Sequence, residues 1–201
     1  MNLLIVFLCL VIFFVYNRTQ NYLSIKGGIM YSLFLLVTFI KIRTGGSLID
    51  LGFRLDNIAA TLLPNILLVL GGTAVLYTMR TRIKKFKVFS WLISLVGLYF
   101  IFGIVQQFFF QSVFTHSLYG LLGSKLPVVV ISGIFFASFH WGRGLRFGLM
   151  ALVAGSVMAY LFLAGPNVIL LGVSHAILAS VYYYFVDERD TLDNRLSLKH
   201  A

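Results

Sequence analysis

Gly103–Ser117 reads GIVQQFFFQSVFTHS, a stretch in which three glutamines interrupt a run that is otherwise mostly apolar and aromatic. Gln107 and Gln111 are four residues apart, so on an α-helix they lie one above the other on a single face, with Gln106 about 100° round from Gln107. Phe108, Phe109 and Phe110 fill the gap. An amide side chain in hydrocarbon without a partner costs kilocalories, so three within six residues are expected to point into protein and not at lipid. Two uses of such a face stay open from this stretch alone. It could hydrogen bond neighbouring helices together, or it could line an interior site.

The hydrocarbon around it follows from composition. Of 201 residues 60% are hydrophobic and only 11% charged, with a mean hydropathy of +0.96, far outside the soluble range. The chain reads as a polytopic membrane protein. Its 6 acidic residues (Asp50, Asp56, Asp187, Glu188, Asp190, Asp193) are expected in loops or the tail, so no carboxylate is available inside an apolar segment. A net charge of +10 would suggest nucleic acid in a soluble chain. Here Lys and Arg cluster between apolar runs, where they meet lipid headgroups and set topology, and no nucleic-acid partner is expected. The single cysteine, Cys9, lies in an apolar run and excludes both a disulfide frame and a cysteine metal site within one chain.

Seven apolar runs follow in order. Residues 2–16 lack a preceding positive charge and a small-residue cleavage site, so they are read as an uncleaved first span, short at about 22 Å. The second is 27–42. The connection TGGSLIDLGFRLDN (44–57) reads as an interfacial loop. The third run is 58–79, with Pro64 in its first turns and Gly71 and Gly72 in its middle, where another helix could approach closely. After the basic stretch RTRIKKFK (80–87) comes the fourth, 88–115. At about 42 Å it must tilt, bend near Gly97 or Gly103, or protrude from a core about 30 Å thick. The fifth is 127–140, the sixth 147–163 and the seventh 168–186. Counted on seven spans, one side collects twelve Lys and Arg and the other four. The amino terminus is therefore expected outside and the tail in the cytoplasm. No period of 20 to 50 residues points to a solenoid.

Other apolar segments carry polar side chains too: His140 after ISGIFFASF, and Ser174 and His175 within VILLGVSHAILAS. A histidine in a membrane helix is commonly a packing residue, yet an intramembrane ionisable group is also a functional candidate. Three segments can satisfy such groups mutually only in a shared interior. These residues resemble the CAAX protease and bacteriocin-processing (CPBP) family of glutamic-type intramembrane endopeptidases. That family carries EExxxR on one helix, FxxxH on the next and HxxxN or HxxxD on the last. Here QQFFFQ (106–111) stands in the first place, FASFH (136–140) matches the second, and HAILA (175–179) matches the third except at its end. LGFRLD (51–56) and GPNVILLGVSHAI (165–177) also look familial, and the resemblance covers residues 45 to 185.

What the resemblance implies is a site that has lost its chemistry. By that alignment Gln106 and Gln107 replace the glutamate pair, Gln111 the arginine and Ala179 the asparagine, leaving His140 and His175. In the family the first glutamate, with a histidine, is taken to activate a water, while histidine and asparagine stabilise the oxyanion. A neutral amide cannot act as general base, a role worth roughly 10²- to 10⁴-fold, and losing an oxyanion donor costs about another two to three decades. Removing one charge of a buried glutamate–arginine pair would strand the other. Three amides together keep hydrogen-bonding shape and remove every charge.

Two other chemistries fit the residues less well. His140 and His175 with no carboxylate or thiolate fall short of the three protein ligands usual for catalytic zinc, so no metal is expected. A serine nucleophile (Ser138, Ser174 or Ser180) beside a histidine is conceivable, but Ser174 and His175 are helix neighbours and diverge by about 100°. His116 and His200 fall at a segment end and in the tail, where solvation is the ordinary state. One difficulty stands. Counted from Val88, Gln106 lies about 27 Å along its helix, whereas His140 ends the fifth run on the side where the fourth begins, so a shared pocket requires a tilted fourth helix or a fifth that does not fully cross.

The expectation is an all-α polytopic transmembrane helix bundle of about seven spans with a CPBP-like core. Residues 1–44 form two amino-terminal transmembrane helices, 45–186 the core and 187–201 a charged cytoplasmic tail. In a bacterial or archaeal cytoplasmic membrane it would act as an inactive scaffold, subunit or regulator, holding a membrane protein, a transmembrane or lipidated peptide, or a lipid in the former substrate cleft, without a cofactor. The alternatives are a working intramembrane endopeptidase with atypical residues, and a structural subunit of a cofactor- or pigment-containing membrane complex.

Overall fold

Polar side chains lie inside and leucines outside along the helix Ile58–Thr78, the reverse of a soluble helix. Its buried residues are Thr61, Asn65 and Leu76, while Leu62, Leu63, Ile66, Leu67 and Leu70 are exposed. That is the pattern of a lipid-facing helix whose polar groups seek protein. The computed structural model describes residues 2–18, 28, 31–32, 35–40, 43, 47–79, 88–140 and 144–186. Among them the chain is all-helical: α1 (Asn2–Arg18), α2 (Ile58–Thr78), α3 (Val88–Gln107), a π-helical segment (Phe108–Thr115), α4 (His116–Leu122), α5 (Lys125–Ser138), α6 (Leu145–Ala164) and α7 (Val168–Phe185). The basic run 80–87, the tail 187–201 and parts of the second apolar run lie outside the described residues.

Two of these helices, α2 and α6, are long and apolar enough to cross a membrane by length and composition. A bundle of seven full spans is a finer statement than the described helices carry. In particular α5 has 14 residues, about 21 Å, short of a hydrocarbon core of about 30 Å. That length fits a fifth run that does not fully cross, one of the two arrangements a shared pocket requires.

The bundle is built on close backbone approaches. The most extensive contact is α3 on α7, where a Cβ on Gly172 would lie 2.6 Å from Ile104 Cα and one on Gly103 would lie 2.6 Å from the Gly172 carbonyl oxygen. Farther along, the Tyr99 and Tyr183 rings are 5.6 Å apart, so the two helices run antiparallel. Gly155 of α6 lies so close to Phe136 of α5 that its Cβ would come within 2.7 Å. Gly72 plays the same part for Leu178 of α7, while Gly71 faces open space. The long fourth run changes form at Phe108 and not at either glycine singled out for a bend. Every residue from Val105 to Thr115 is buried, making this the centre of the molecule. The hairpin closes where α4 ends at Gly123, in the left-handed region at φ 64°, before α5 returns.

The connection 47–57 is more than an interfacial loop. Leu51 and Gly52 are buried, and the Leu51 carbonyl accepts from Ser112 Oγ of the π segment at 2.5 Å. The Gly52 carbonyl accepts from the Val168 amide at 2.8 Å. Gly52 has φ +84°, and a Cβ there would lie 3.0 Å from Val168 and 3.1 Å from Phe162, so glycine is favoured there. Asn167 completes the clamp: its Oδ1 caps α7 through the Leu170 amide at 3.0 Å, and its Nδ2 donates to the Arg54 carbonyl at 2.9 Å and to Asn57 Oδ1 at 2.8 Å.

Candidate functional site

The glutamine face forms a hydrogen-bonded ladder. Gln111 Nε2 donates to Gln107 Oε1 at 3.1 Å, across the shared face that four-residue spacing gives them. Thr115 Oγ1, one further turn along, lies 3.1 Å from Gln111 Oε1, 2.9 Å from Ser132 Oγ on α5 and 2.8 Å from the Phe110 carbonyl. A hydroxyl has one proton to give, so Thr115 divides it between oxygens while Ser132 can donate back to it. The ladder therefore ties the π segment to α5, which is the binding role for Gln111. Its other end is different. Gln107 is 0% and Gln106 6% exposed, yet Gln107 Nε2 and Gln106 Oε1 have no hydrogen-bond partner.

The two histidines converge from different elements on one ring. His140, just past α5, stacks on Phe136 with centroids 4.5 Å apart, and its Nδ1 bonds to the Phe136 carbonyl at 2.8 Å. Because that carbonyl only accepts, Nδ1 carries the proton in this bond. His175 of α7 meets the same ring edge-on at 5.7 Å. On its other side Phe136 packs against Phe110 at 4.8 Å, the residue next to Gln111. Amides and imidazoles thus form two adjoining sets joined by Phe110 and Phe136. Gln107, Gln111 and Thr115 bond in series, and the histidines gather on the aromatic rings. Ala179, one turn after His175 and half-buried, offers only a methyl group.

The serines weighed as nucleophiles are otherwise engaged. Ser138 donates to the Phe135 carbonyl at 2.6 Å, Ser180 to the Ala176 carbonyl at 2.7 Å and Ser174 to Asn65 Oδ1 of α2 at 2.9 Å. Ser174 and His175 therefore face different helices, as their adjacency in sequence requires. Among the described residues no three His, Cys, Asp or Glu gather as metal ligands. His116 is exposed at the start of α4, and His200 lies outside the described residues.

Sequence reasoning did not name Asn65, Thr115, Ser132 and Asn167, all buried. For Asn65 the signal was present, an amide inside an apolar run directly after Pro64. Pro64 has no amide proton to return to the Ala60 carbonyl, and Asn65 Nδ2 donates to the adjacent Thr61 carbonyl at 2.9 Å. Two cavities lie away from the glutamines and histidines. One of about 130 Å³ is lined by Thr61, Pro64, Asn65 and Gly165 among others, and an apolar one of about 360 Å³ by Phe13, Ile134, Ala137, Ser138 and Leu152.

Among the described residues the chain is all-helical, with exposed leucines on α2 and a buried polar interior contributed by several helices. Residues 88–181 match the family described as Rce1-like, type II CAAX prenyl endopeptidase Rce1-like, so the chain carries an Rce1-like domain of the CPBP family over that stretch. Neither a curated protein nor a solved structure matches the chain. The domain begins with α3 and ends within α7, and so contains the glutamine ladder and both histidines.

Proposed function

We propose that this is a CPBP-like membrane protein without protease activity, which serves as scaffold, subunit or regulator by holding a membrane protein, or a transmembrane or lipidated peptide, in the cleft where its relatives would cut. One observation carries the reading. At the position of the family's glutamate pair stand Gln106 and Gln107, whose amides accept no proton near neutral pH, and Gln107 is fully buried in a ladder of neutral side chains. The basic connections support a cytoplasmic membrane with the tail inside. In a lipid nanodisc the full chain is expected to leave a prenylated CAAX peptide intact at single-turnover enzyme excess. Hydrolysis above buffer that disappears in both Gln106→Ala and His140→Ala would end this reading and establish the working endopeptidase instead. That second reading is favoured by one feature, the meeting of His140 and His175 on Phe136.

A further inference from the structure

The cavity of about 130 Å³ lies between the first turns of α2 and the end of α6, with Leu171 of α7 also in its wall. Ala60, Thr61, Pro64 and Asn65 all line it, and their spacing of one and four residues makes them a single patch of helix surface. The hydrogen bonding of that patch is incomplete. A helix carbonyl points along the axis toward the amide four residues on, so the Ala60 carbonyl points at Pro64, which has no proton to give. Asn65 is buried; its oxygen accepts from Ser174, and one N–H of its Nδ2 goes to the Thr61 carbonyl. The second N–H of Nδ2 makes no bond among the described residues. The cavity thus offers one neutral acceptor and one neutral donor, each without a protein partner, on one patch of one helix.

The rest of the wall narrows what fills it. Leu161, Ala164 and Leu171 present apolar side chains, and no charged residue lines the cavity. A hydroxyl both donates and accepts through one oxygen, whereas a carboxylate only accepts and an ammonium only donates. Either ion would also enter without a countercharge. Water meets the polar patch but finds no partner on the leucines, and a buried water typically makes about three hydrogen bonds. In size the cavity is close to an apolar one of roughly 150 Å³ that holds benzene, so a group of about six heavy atoms fits. It reaches the surface at Ala60, which is exposed one turn from the exposed Leu63, so its entrance lies on the apolar face of α2.

We propose that this cavity binds the hydroxyl end of an uncharged alcohol with an apolar chain, the O–H donating to the Ala60 carbonyl and the oxygen accepting from Asn65 Nδ2. Two sources carry that chemistry: a lipid with a free hydroxyl, such as a diacylglycerol, and a short alkanol from water. The site stands apart from the glutamines and histidines and does not depend on the partner-holding reading.

The test uses the full chain in nanodiscs, titrated in one arm with dioctanoylglycerol in the bilayer and in the other with pentanol from water. Each alcohol is compared with its methyl ether, which keeps the oxygen and loses the donor. The Asn65 side-chain amide, followed by NMR, reports binding, and the Gln111 side-chain amide is the control that should stay still. The wild type is expected to bind alcohol about tenfold more tightly than ether in at least one arm, the worth of one hydrogen bond to a carbonyl otherwise unmet. The arm that shows the preference names the source, and preference in both assigns the site to the hydroxyl whatever its carrier. Pro64→Ala returns an N–H to the Ala60 carbonyl and should lower the ratio to about two or less. An unmoved Asn65 amide in both arms, an alcohol-to-ether ratio near one, or a ratio unchanged by Pro64→Ala would each overturn the proposal. Replacing an interior proline by alanine favours the helix, and the wild-type ratio decides the matter without any variant.

Discussion

Gln107 has no exposure and bonds to Gln111, so its charge state matters more than its shape. Gln107→Glu would place a carboxylate there whose hydrogen-bond neighbour among the described residues is the Gln111 amide. An unpaired buried charge costs about 3–5 kcal/mol, and the detergent-solubilised variant should lose that much in a denaturant titration. Adding Gln111→Arg supplies a cation four residues away, and the double variant is expected to recover more than half of the loss. If the second change gives no recovery, these two positions are not placed as a charge pair would need.

At the scale of helices, backbone approach and not side-chain interlocking sets where α3 crosses α7. Gly172→Ala would drive a methyl against the Ile104 backbone at 2.6 Å, and neither main chain can yield without parting the helices. A loss of about 1–3 kcal/mol is expected from such overpacking. Gly71→Ala is the contrast, because nothing stands within 4 Å of its Cβ. There the gain in helix propensity, up to about 1 kcal/mol, should appear as a higher melting temperature. Equal effects of the two substitutions would mean that the crossing is not as close as 103 and 172 indicate. The π segment is an element no local signal announced. Its residues FFFQSVFT read equally well as α-helix, and only burial on all sides, with Thr115 Oγ1 bonding the Phe110 carbonyl five residues back, accompanies the wider turn.

For the molecule as a whole, Asn167 joins what sequence distance separates. It caps α7 and holds the 54–57 backbone and side chain more than a hundred residues away. Asn167→Ala removes a cap and two further bonds, so a loss of about 2 kcal/mol is expected. Faster amide exchange at Val168, whose N–H is bonded to Gly52, should accompany it. Unchanged exchange there would show the loop to be held by other means. The Arg54–Asp56 pair lies beside this clamp but at the surface. The hydrogen bond from Arg54 holds the Asp56 carboxyl below its ordinary value, with charge attraction adding to it. A carboxyl depressed in the folded state stabilises above its unfolded pKa and loses that contribution as pH falls through the lower folded value. A small acid-side drop in melting temperature should therefore vanish in Asp56→Asn.

Much of this protein was legible along the chain. Apolar runs bounded by charges located α1, α2, α6 and α7 nearly to the residue, because length and hydropathy are local properties that lipid enforces. Four-residue spacing put Gln107 and Gln111 on one helix face, where they bond, and FxxxH and HxxxA marked the histidines that meet at Phe136. Tertiary structure alone decided the rest. That Leu51 and Gly52 are drawn into the core, and that Thr115 and Ser132 continue the glutamine ladder onto a second helix, both depend on which surfaces touch. The crossing at Gly103 and Gly172 is of the same kind: a glycine permits close approach, but the partner backbone determines whether it is used. A buried amide's partner is likewise fixed by what the fold brings against it, which is why two atoms of Gln106 and Gln107 stand unpaired where the sequence showed only three glutamines in a row of phenylalanines.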